Sequence, residues 1–210
     1  MKKNFKVFSL LVMVSLFGIN LHGQSYDCKA ENSQFRSDKN NWVVKDVDKP
    51  FNSSDIAEFE GLFYYPVDCK YVFNGTLNRN EPMKIVNVET TDGGSAQLYD
   101  YGTVSYTVGE KKYDLAVYKN IDMPEFNNAK ETIFIPIKDG TSGPALNTTF
   151  ASGRYLIIQP PASGNKVILD FNKSINPFKN YNSNYSALIV PSSNIILAPL
   201  TTGERKYEDR

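Results

Sequence analysis

The alternation of apolar and polar positions along the chain predicts mostly β-structure. From Lys70 to Leu77 apolar side chains recur at every second position, which is the spacing of a strand with one buried face. About eight such runs follow one another, separated by turn signals, the first of which is predicted at Asn78 to Pro82. This pattern predicts an all-β fold, either an antiparallel sandwich or a partly closed barrel.

Two features of the pattern refine this fold. Phe35, Trp42 and Val43 fall near i, i+7 and i+8, so a short N-terminal helix is predicted over residues 29–47, before the sheet. In the strand from Thr132 to Lys138, Pro136 predicts an edge position or a bend. We expect three segments, namely a signal peptide (1–23), an N-terminal helical lead (24–48) and a single β-rich domain (49–210).

The N-terminus has the three parts of a secretory signal. A basic start (Lys2, Lys3, Lys6) precedes a short apolar run, and Gly23 supplies the small residue at the expected cleavage position. The apolar run is shorter than the roughly 20 residues that a membrane-spanning helix needs, and no later run is longer. We therefore expect a secreted or periplasmic protein without a membrane span.

Removal of this segment changes the charge and the available chemistry. It carries three of the 23 basic residues and no acidic ones, which leaves 20 basic against 23 acidic residues, a net charge of −3. That balance argues against a nucleic-acid partner. The only histidine, His22, is removed as well, which excludes Ser-His-Asp and Cys-His catalysis and histidine-ligated metals. We expect no metal and no cofactor.

Cys28 and Cys69 are the only two cysteines. In an oxidising compartment they can form a disulfide that ties the N-terminal segment to the domain. The alternative is two separate thiols, because a sequence does not give the distance between the two Cα atoms.

Candidate functional residues concentrate between Thr132 and Asn176, at the ends of predicted strands. They are Asp139, Thr141, Ser142, Arg154, Tyr155, Asp170, Asn172 and Asn176. Asp139 precedes a glycine-rich turn, and no calcium-loop pattern accompanies it, so a turn-forming role is favoured over a cation ligand. Arg154 can pair with Asp139 or Asp170, or it can bind a carboxylate or phosphate of a ligand.

A series of short motifs in fixed order resembles a known family. The motifs are Phe59-x-Gly61-Leu62-x-x-Tyr65-Pro66, Phe134-x-Pro136-x-x-Asp139-x-Thr141-Ser142-Gly143, Gly153-Arg154-Tyr155-Leu156, Asp170-Phe171-Asn172, Asn176-Pro177, Asn194 and Gly203-Glu204. Together they resemble the bacterial family named domain of unknown function 1684, over residues 35–207. The family has no assigned activity, so the resemblance implies no mechanism. Two positions that often carry cysteine in the family are Lys179 and Ala187 here.

Three hypotheses for function follow. The first is an exported binding or accessory protein for a small polar ligand or an envelope protein, with its site around Arg154, Asp139, Asp170 and Asn172. The second is a histidine-free hydrolase or lyase acting on a saccharide or similar substrate, with Asp139 or Asp170 as the base and Arg154 steadying the developing charge; Glu204 is a further carboxylate. It requires a buried carboxyl group with a raised pKa in a cleft. The third is a structural envelope protein.

Overall fold

The computed structural model describes residues 26–45, 50–51, 56–121, 123–126, 132–145 and 148–207; the predicted signal peptide lies outside this range. One helix, α1 (Cys28–Lys45), precedes the strands. The eight strands are β1 (Val72–Glu89), β2 (Ser95–Val108), β3 (Lys111–Lys119), β4 (Ile133–Asp139), β5 (Arg154–Ile158), β6 (Lys166–Asp170), β7 (Ser174–Ile175) and β8 (Ile195–Ile196). No helix in these ranges is both long enough and apolar enough to cross a membrane.

The strands form one mostly antiparallel sheet that curls into a nearly closed barrel. Its order is β6-β1-β2-β3-β4-β5-β7, with β8 pairing in parallel to β4. A single 3₁₀ turn, Phe171–Lys173, separates β6 from β7 in the chain, yet these two strands lie at opposite ends of the order. The sheet must therefore bring its two ends close together. The predicted all-β fold with an N-terminal helix is confirmed, and the barrel is the form it takes.

The predicted turn at Asn78 to Pro82 is wrong. β1 continues through this stretch, and its register against β2 shifts between Arg79 and Lys84. Because β2 is long enough to pair with β1 on both sides of the irregularity, the chain bulges instead of reversing. The asparagines and the proline mark a bulge in one long strand.

Asn194 bridges two strands where their own pairing ends. β3 and β4 pair only at Ile133 and Phe134, and Pro136 has no N–H group to donate. The Asn194 side chain accepts from the Ala116 N–H (2.7 Å) and donates to the carbonyl oxygens of Ala116 and Pro136 (2.9 Å each). Pro136 thus lies in a strand with neighbours on both sides, and a side chain supplies the missing backbone contacts.

Three apolar clusters hold the fold together. The barrel interior contains Ile133, Ile135 and Ile137 on one face of β4, as the alternating pattern predicts. Phe134, on the opposite face, packs in a second cluster with Phe126 and Leu188. The third cluster joins α1 to the barrel and contains, among others, Val43, Phe51, Leu62, Phe178 and Tyr181.

Helix α1 turns an unusually polar face towards the barrel. Its buried residues are Cys28, Asn32, Lys39 and Val43, which share one side of the helix. Cys28 forms a disulfide with Cys69, just before β1, with the Cα atoms 6.0 Å apart. Asn32 donates to the Asp170 carboxylate at 2.6 Å. The helix is therefore held by a covalent bond and polar contacts as well as by apolar packing.

Candidate functional site

Arg154 lies in the interior and binds the C-terminal segment of the chain. Its side chain is fully buried and forms an ion pair with Asp139, at 2.9 Å between Nη2 and Oδ2. The guanidinium also donates to the carbonyl oxygens of Leu200 (3.4 Å), Thr202 and Glu204 (3.2 Å). Arg154 therefore pairs with Asp139 and not with Asp170, the other predicted partner.

Two glycines make room for this arrangement. Gly153 has φ of +101°, and a Cβ atom there would lie 2.5 Å from the Ile137 carbonyl oxygen. Gly203 has φ of +75°, and a Cβ atom there would lie 3.0 Å from Arg154 Nη1 and 2.8 Å from the Phe171 carbonyl oxygen. The glycines of the Gly-Arg-Tyr-Leu and Gly-Glu motifs therefore let the backbone approach the guanidinium and the neighbouring strand.

Asp139 also has the predicted turn-forming role. Its Oδ1 accepts from the Thr141 N–H (2.8 Å), the Thr141 hydroxyl (2.6 Å) and the Leu200 N–H (3.1 Å). The Ser142 hydroxyl oxygen accepts from the backbone N–H of Asp139 at 3.2 Å. These contacts account for the Asp-x-Thr-Ser motif as a turn that is locked to the C-terminal segment.

Asp170 and Asn172 form a second interior group, separate from Arg154. Asp170 accepts from the Tyr26 hydroxyl and from the Asn32 amide, both at 2.6 Å, and from Asn172. Asn172 in turn bonds both backbone groups of Asp68, at 2.9 and 3.0 Å. This group fastens the N-terminal segment and the approach to β1 onto the end of β6.

The remaining predicted residues are also interior. Tyr155 is buried and accepts from the Leu188 N–H at 3.0 Å. Asn176 is buried and donates through its amide to the Arg205 carbonyl oxygen at 2.7 Å. The predicted residues thus hold segments of the chain together, and the structure does not gather them at one exposed surface. Their role in binding a ligand stays a prediction that this burial does not favour.

A different set of ionisable residues lies between α1 and the barrel. Lys39 is 7% exposed, Glu125 6% and Glu204 0%. The Lys39 ammonium lies over the Trp42 ring, 4.0 Å from its centroid, and 5.7 Å from that of Tyr181. Among the described residues it has no hydrogen-bond partner, although both carboxyl groups act on it electrostatically. We call Lys39, Glu125 and Glu204 the buried triad.

Burial favours the uncharged form of all three residues of the triad. It lowers the pKa of Lys39 to about 8, against the opposing pull of Glu204 and Glu125. It raises the pKa of Glu125, and the N–H group of Phe178 and the charge of Lys39 oppose this only in part. It raises the pKa of Glu204 too, against Lys39 and the hydrogen bond from Tyr181. Such clustered shifts are typical of functional sites.

Other buried polar atoms also lack partners within the described part of the chain. They include the Tyr64 hydroxyl, the Asn176 side-chain oxygen and the whole Asn180 side-chain amide. Buried polar groups are usually hydrogen-bonded, so the polar side chains in this part of the interior are less completely paired than those around Arg154.

Glu125 also lines a cleft. The cleft has a volume of about 490 Å³, within the range of small-molecule sites. Its described lining residues are Thr90, Asp92, Ser95, Ala96, Gln97, Met123, Pro124, Glu125, Asn184, Tyr185, Ser186, Ala187 and Leu188. Most of them carry hydrogen-bonding groups, and none of them is basic. We call this the Glu125 cleft.

Asp92 is the second carboxyl residue of the Glu125 cleft. Its Oδ1 accepts from the Thr90 hydroxyl at 2.5 Å and from the Gly94 N–H at 3.2 Å, and these bonds lower the pKa of Asp92. One cleft therefore contains a carboxyl group with a raised pKa, that of Glu125, and one with a lowered pKa.

No predicted site residue lines the Glu125 cleft. The sequence contains few signals that could have indicated the cleft or the buried triad. Lys39 shares a helical face with Cys28 and Val43, so a search for the buried face of α1 would have included it. Glu125 lies in a stretch that reads as a polar loop, and nothing local marks it. Within the described ranges, no three acidic or cysteine side chains come together in a way that would hold a metal ion.

Fold and site together define a small, nearly closed β-barrel with a disulfide-anchored helix, a buried acid–base group and an adjoining cleft. The model of the family described as "Protein of unknown function (DUF1684)" matches residues 57–205, so the chain belongs to this family. The resemblance seen in the sequence motifs is confirmed.

Solved structures with the same fold include one from an archaeon. It is the solution NMR structure of the uncharacterized protein from gene locus rrnAC0354 of Haloarcula marismortui, with 25% sequence identity and a TM-score of 0.65. The similarity covers 84% of this chain and 93% of that chain. No curated protein matches the chain.

Proposed function

We propose that this protein is exported and binds a small polar ligand in the Glu125 cleft. The observation that carries the proposal is a cleft of about 490 Å³ whose wall contains a nearly fully buried carboxyl residue. A buried ionisable group at a concave surface is the usual arrangement of a binding site. Export is supported by the signal-like N-terminus and by the Cys28–Cys69 disulfide, which suits an oxidising compartment.

The lining chemistry favours a neutral, hydroxyl-rich ligand of the saccharide class. Carboxyl, amide and hydroxyl side chains line the cleft, and such groups exchange hydrogen bonds with sugar hydroxyls. No described lining residue offers the arginine or lysine that a phosphate or carboxylate ligand requires. Tyr185, half-buried beside these groups, supplies an aromatic surface for an apolar sugar face.

A thermal-shift screen of the mature protein, residues 24–210, tests this proposal. The panel contains neutral saccharides, acidic saccharides and nucleotides. A ligand at about 100 times its Kd stabilises the fold by about 2.7 kcal/mol, which raises Tm by roughly 5–10 °C for a chain of this size. We expect the shift with neutral saccharides only, and we expect Gln97→Leu to reduce it.

The matched control is Gln159→Leu, which changes an exposed glutamine that does not line the Glu125 cleft. A shift that survives Gln97→Leu, or that appears only with anionic compounds, would place the ligand elsewhere. No shift with any compound would favour the third hypothesis, a structural envelope protein.

A second function is favoured by the two carboxyl residues of the cleft. Environments that push the pKa values of two acids apart produce one proton donor and one ionised partner, the arrangement that carboxylate-dependent hydrolases use. Here Glu125 is the donor and Asp92 the ionised partner, in place of Asp139 and Asp170. If a saccharide that binds is also turned over, and if Glu125→Gln and Asp92→Asn each abolish that turnover, this activity is established. Binding without turnover leaves the first proposal.

A further inference from the structure

The buried triad contains more acidic than basic groups. Lys39 supplies one ammonium, whereas Glu125 and Glu204 supply two carboxyl groups in the same closed region. An uncompensated buried charge costs several kcal/mol, so a closed site with one cation retains one anion and neutralises the other by protonation.

The charged groups on the neighbouring elements do not change this balance. Arg36 stacks on the Tyr64 ring, 4.5 Å from its centroid, and donates to the Tyr65 carbonyl oxygen. Arg154 is paired with Asp139 and meets only the backbone of Glu204. Three tyrosines also face the triad, and burial raises the pKa of each hydroxyl well above neutral, so they are uncharged: Tyr64, Tyr155 and Tyr181.

Hydrogen bonds distinguish the two carboxyl groups. Glu204 accepts on both oxygens, from the Tyr181 hydroxyl at Oε1 and from the Asn176 N–H at Oε2 (3.0 Å). The Asn176 side chain also bonds Glu204, which gives that carboxyl group three donors. Glu125 has two donors, its own backbone N–H and the Phe178 N–H, the latter at Oε1 (3.1 Å). Donors on a carboxyl group stabilise its ionised form, so the better-bonded Glu204 is the anion.

We propose that Glu125 and Glu204 share one excess proton beneath the Lys39 ammonium, and that Glu125 carries it at neutral pH. The wall of the Glu125 cleft then presents a carboxylic acid, which donates a hydrogen bond, while Asp92 accepts one. This consequence rests on the proposed function, because it concerns the ligand of that cleft. It selects a ligand oxygen that can accept from Glu125, such as a hydroxyl or a carbonyl oxygen.

Lys39 acts here as a positioning residue. Its ammonium lowers the pKa of both carboxyl groups through space. In Lys39→Met the hydrophobic stem is retained and the charge is lost, so both carboxyl groups hold protons to higher pH than in the wild type. Lys39 therefore sets the pH at which Glu125 stops being a donor.

The test is a pH titration by NMR of ligand-free mature protein labelled with ¹³C at the glutamate carboxyl carbons. We expect one glutamate to remain protonated at neutral pH, and through-bond assignment to identify it as Glu125. The signal should be absent from Glu125→Gln, and in Glu204→Gln, where one carboxyl group is left beside the Lys39 ammonium, Glu125 should ionise at lower pH than in the wild type. We expect Lys39→Met to move this titration to higher pH. Glu110→Gln, at an exposed hairpin turn, is the matched control and leaves the titration unchanged.

Two results would overturn the proposal. One is that every glutamate carboxyl is ionised at neutral pH; the other is that the protonated signal belongs to Glu204. If Glu125→Gln fails to fold, through-bond assignment of the wild-type signals gives the same answer. Since no ligand is present, this experiment fails or succeeds independently of the thermal-shift screen.

Discussion

Replacing Arg154 with methionine tests whether the Gly-Arg-Tyr-Leu motif is a scaffold. Arg154 is fully buried, pairs with Asp139 and binds the carbonyl oxygens of Leu200, Thr202 and Glu204. Methionine keeps much of the side-chain volume but removes the charge and every donor. The change therefore isolates the polar contacts from the effects of an enlarged cavity.

The expected loss of stability is large. Removing one partner of a buried ion pair typically costs about 3–5 kcal/mol, because the remaining charge stays buried without compensation. Here Asp139 would keep the donors on Oδ1, from Thr141 and Leu200, but would lose the one on Oδ2. Three carbonyl oxygens would lose a donor as well. Since domains are stable by only about 5–15 kcal/mol, the change removes a large part of the total.

Equilibrium unfolding in urea, followed by circular dichroism and by Trp42 fluorescence, measures this loss as a change in midpoint at constant slope. Arg79→Met is the control, because Arg79 is exposed and such substitutions change stability by about 0.5 kcal/mol or less. Asp139→Asn with Arg154→Met completes a double-mutant cycle, in which the double variant should lose much less than the sum of the single losses. A loss below about 1 kcal/mol in Arg154→Met would refute the scaffold interpretation and return Arg154 to the candidates for ligand binding.

Three further outcomes are expected from unfolding experiments. Cys28→Ser opens a bridge between residues 41 positions apart, and the chain-entropy relation gives a loss of about 4 kcal/mol relative to the oxidised wild type; the reduced wild type is the control and should be as stable as the variant. Asn194→Ala leaves three backbone groups without their partner and should cost roughly 2–4 kcal/mol, whereas Ser192→Ala, at an exposed position of the same turn, should cost little; equal effects would contradict the bridging role. Glu125 and Glu204 have pKa values that are higher in the folded state than in the unfolded chain. Their contribution to the free energy of unfolding is therefore complete below about pH 4.5 and is lost as the pH rises through the folded-state values. Lys39 has the opposite sign, since its folded-state pKa of about 8 lies below 10.5, and stability from this residue should rise with pH between these values; unfolding free energies measured from pH 4 to 10 check both trends.

The parts of the fold that depend on local pattern were predictable from the sequence. Alternation within β4 identifies Ile133, Ile135 and Ile137 as an interior face because the side-chain period of a strand is two. The bulge in β1 was not predictable, since asparagine and proline favour a turn and a bulge alike, and only the length of the pairing partner decides between them.

The predicted site residues around Arg154 are buried for a physical reason. Polar side chains at strand ends are exposed in an open sheet, but barrel closure places these ends against the segment from Leu200 to Glu204. Asp139 and Arg154 are therefore covered by residues that lie 46 or more positions away from Arg154 in the sequence. The burial of Lys39 likewise depends on residues from the far end of the chain, which no local pattern describes.

The division between scaffold and site follows from how completely the polar groups are satisfied. Both terminal nitrogens of Arg154 and both carboxylate oxygens of Asp139 have hydrogen-bond partners within the chain, although Arg154 Nε has none among the described residues, and this pairing suits a structural role. The triad differs, because Lys39 is held by aromatic rings and distant charges without a direct hydrogen bond among the described residues. Keeping such a group buried costs stability, and a fold retains that cost where the protonation state is useful. Glu125 is the member of the triad that lines a cleft, and for that reason the proposed ligand site is at Glu125 and not at Arg154.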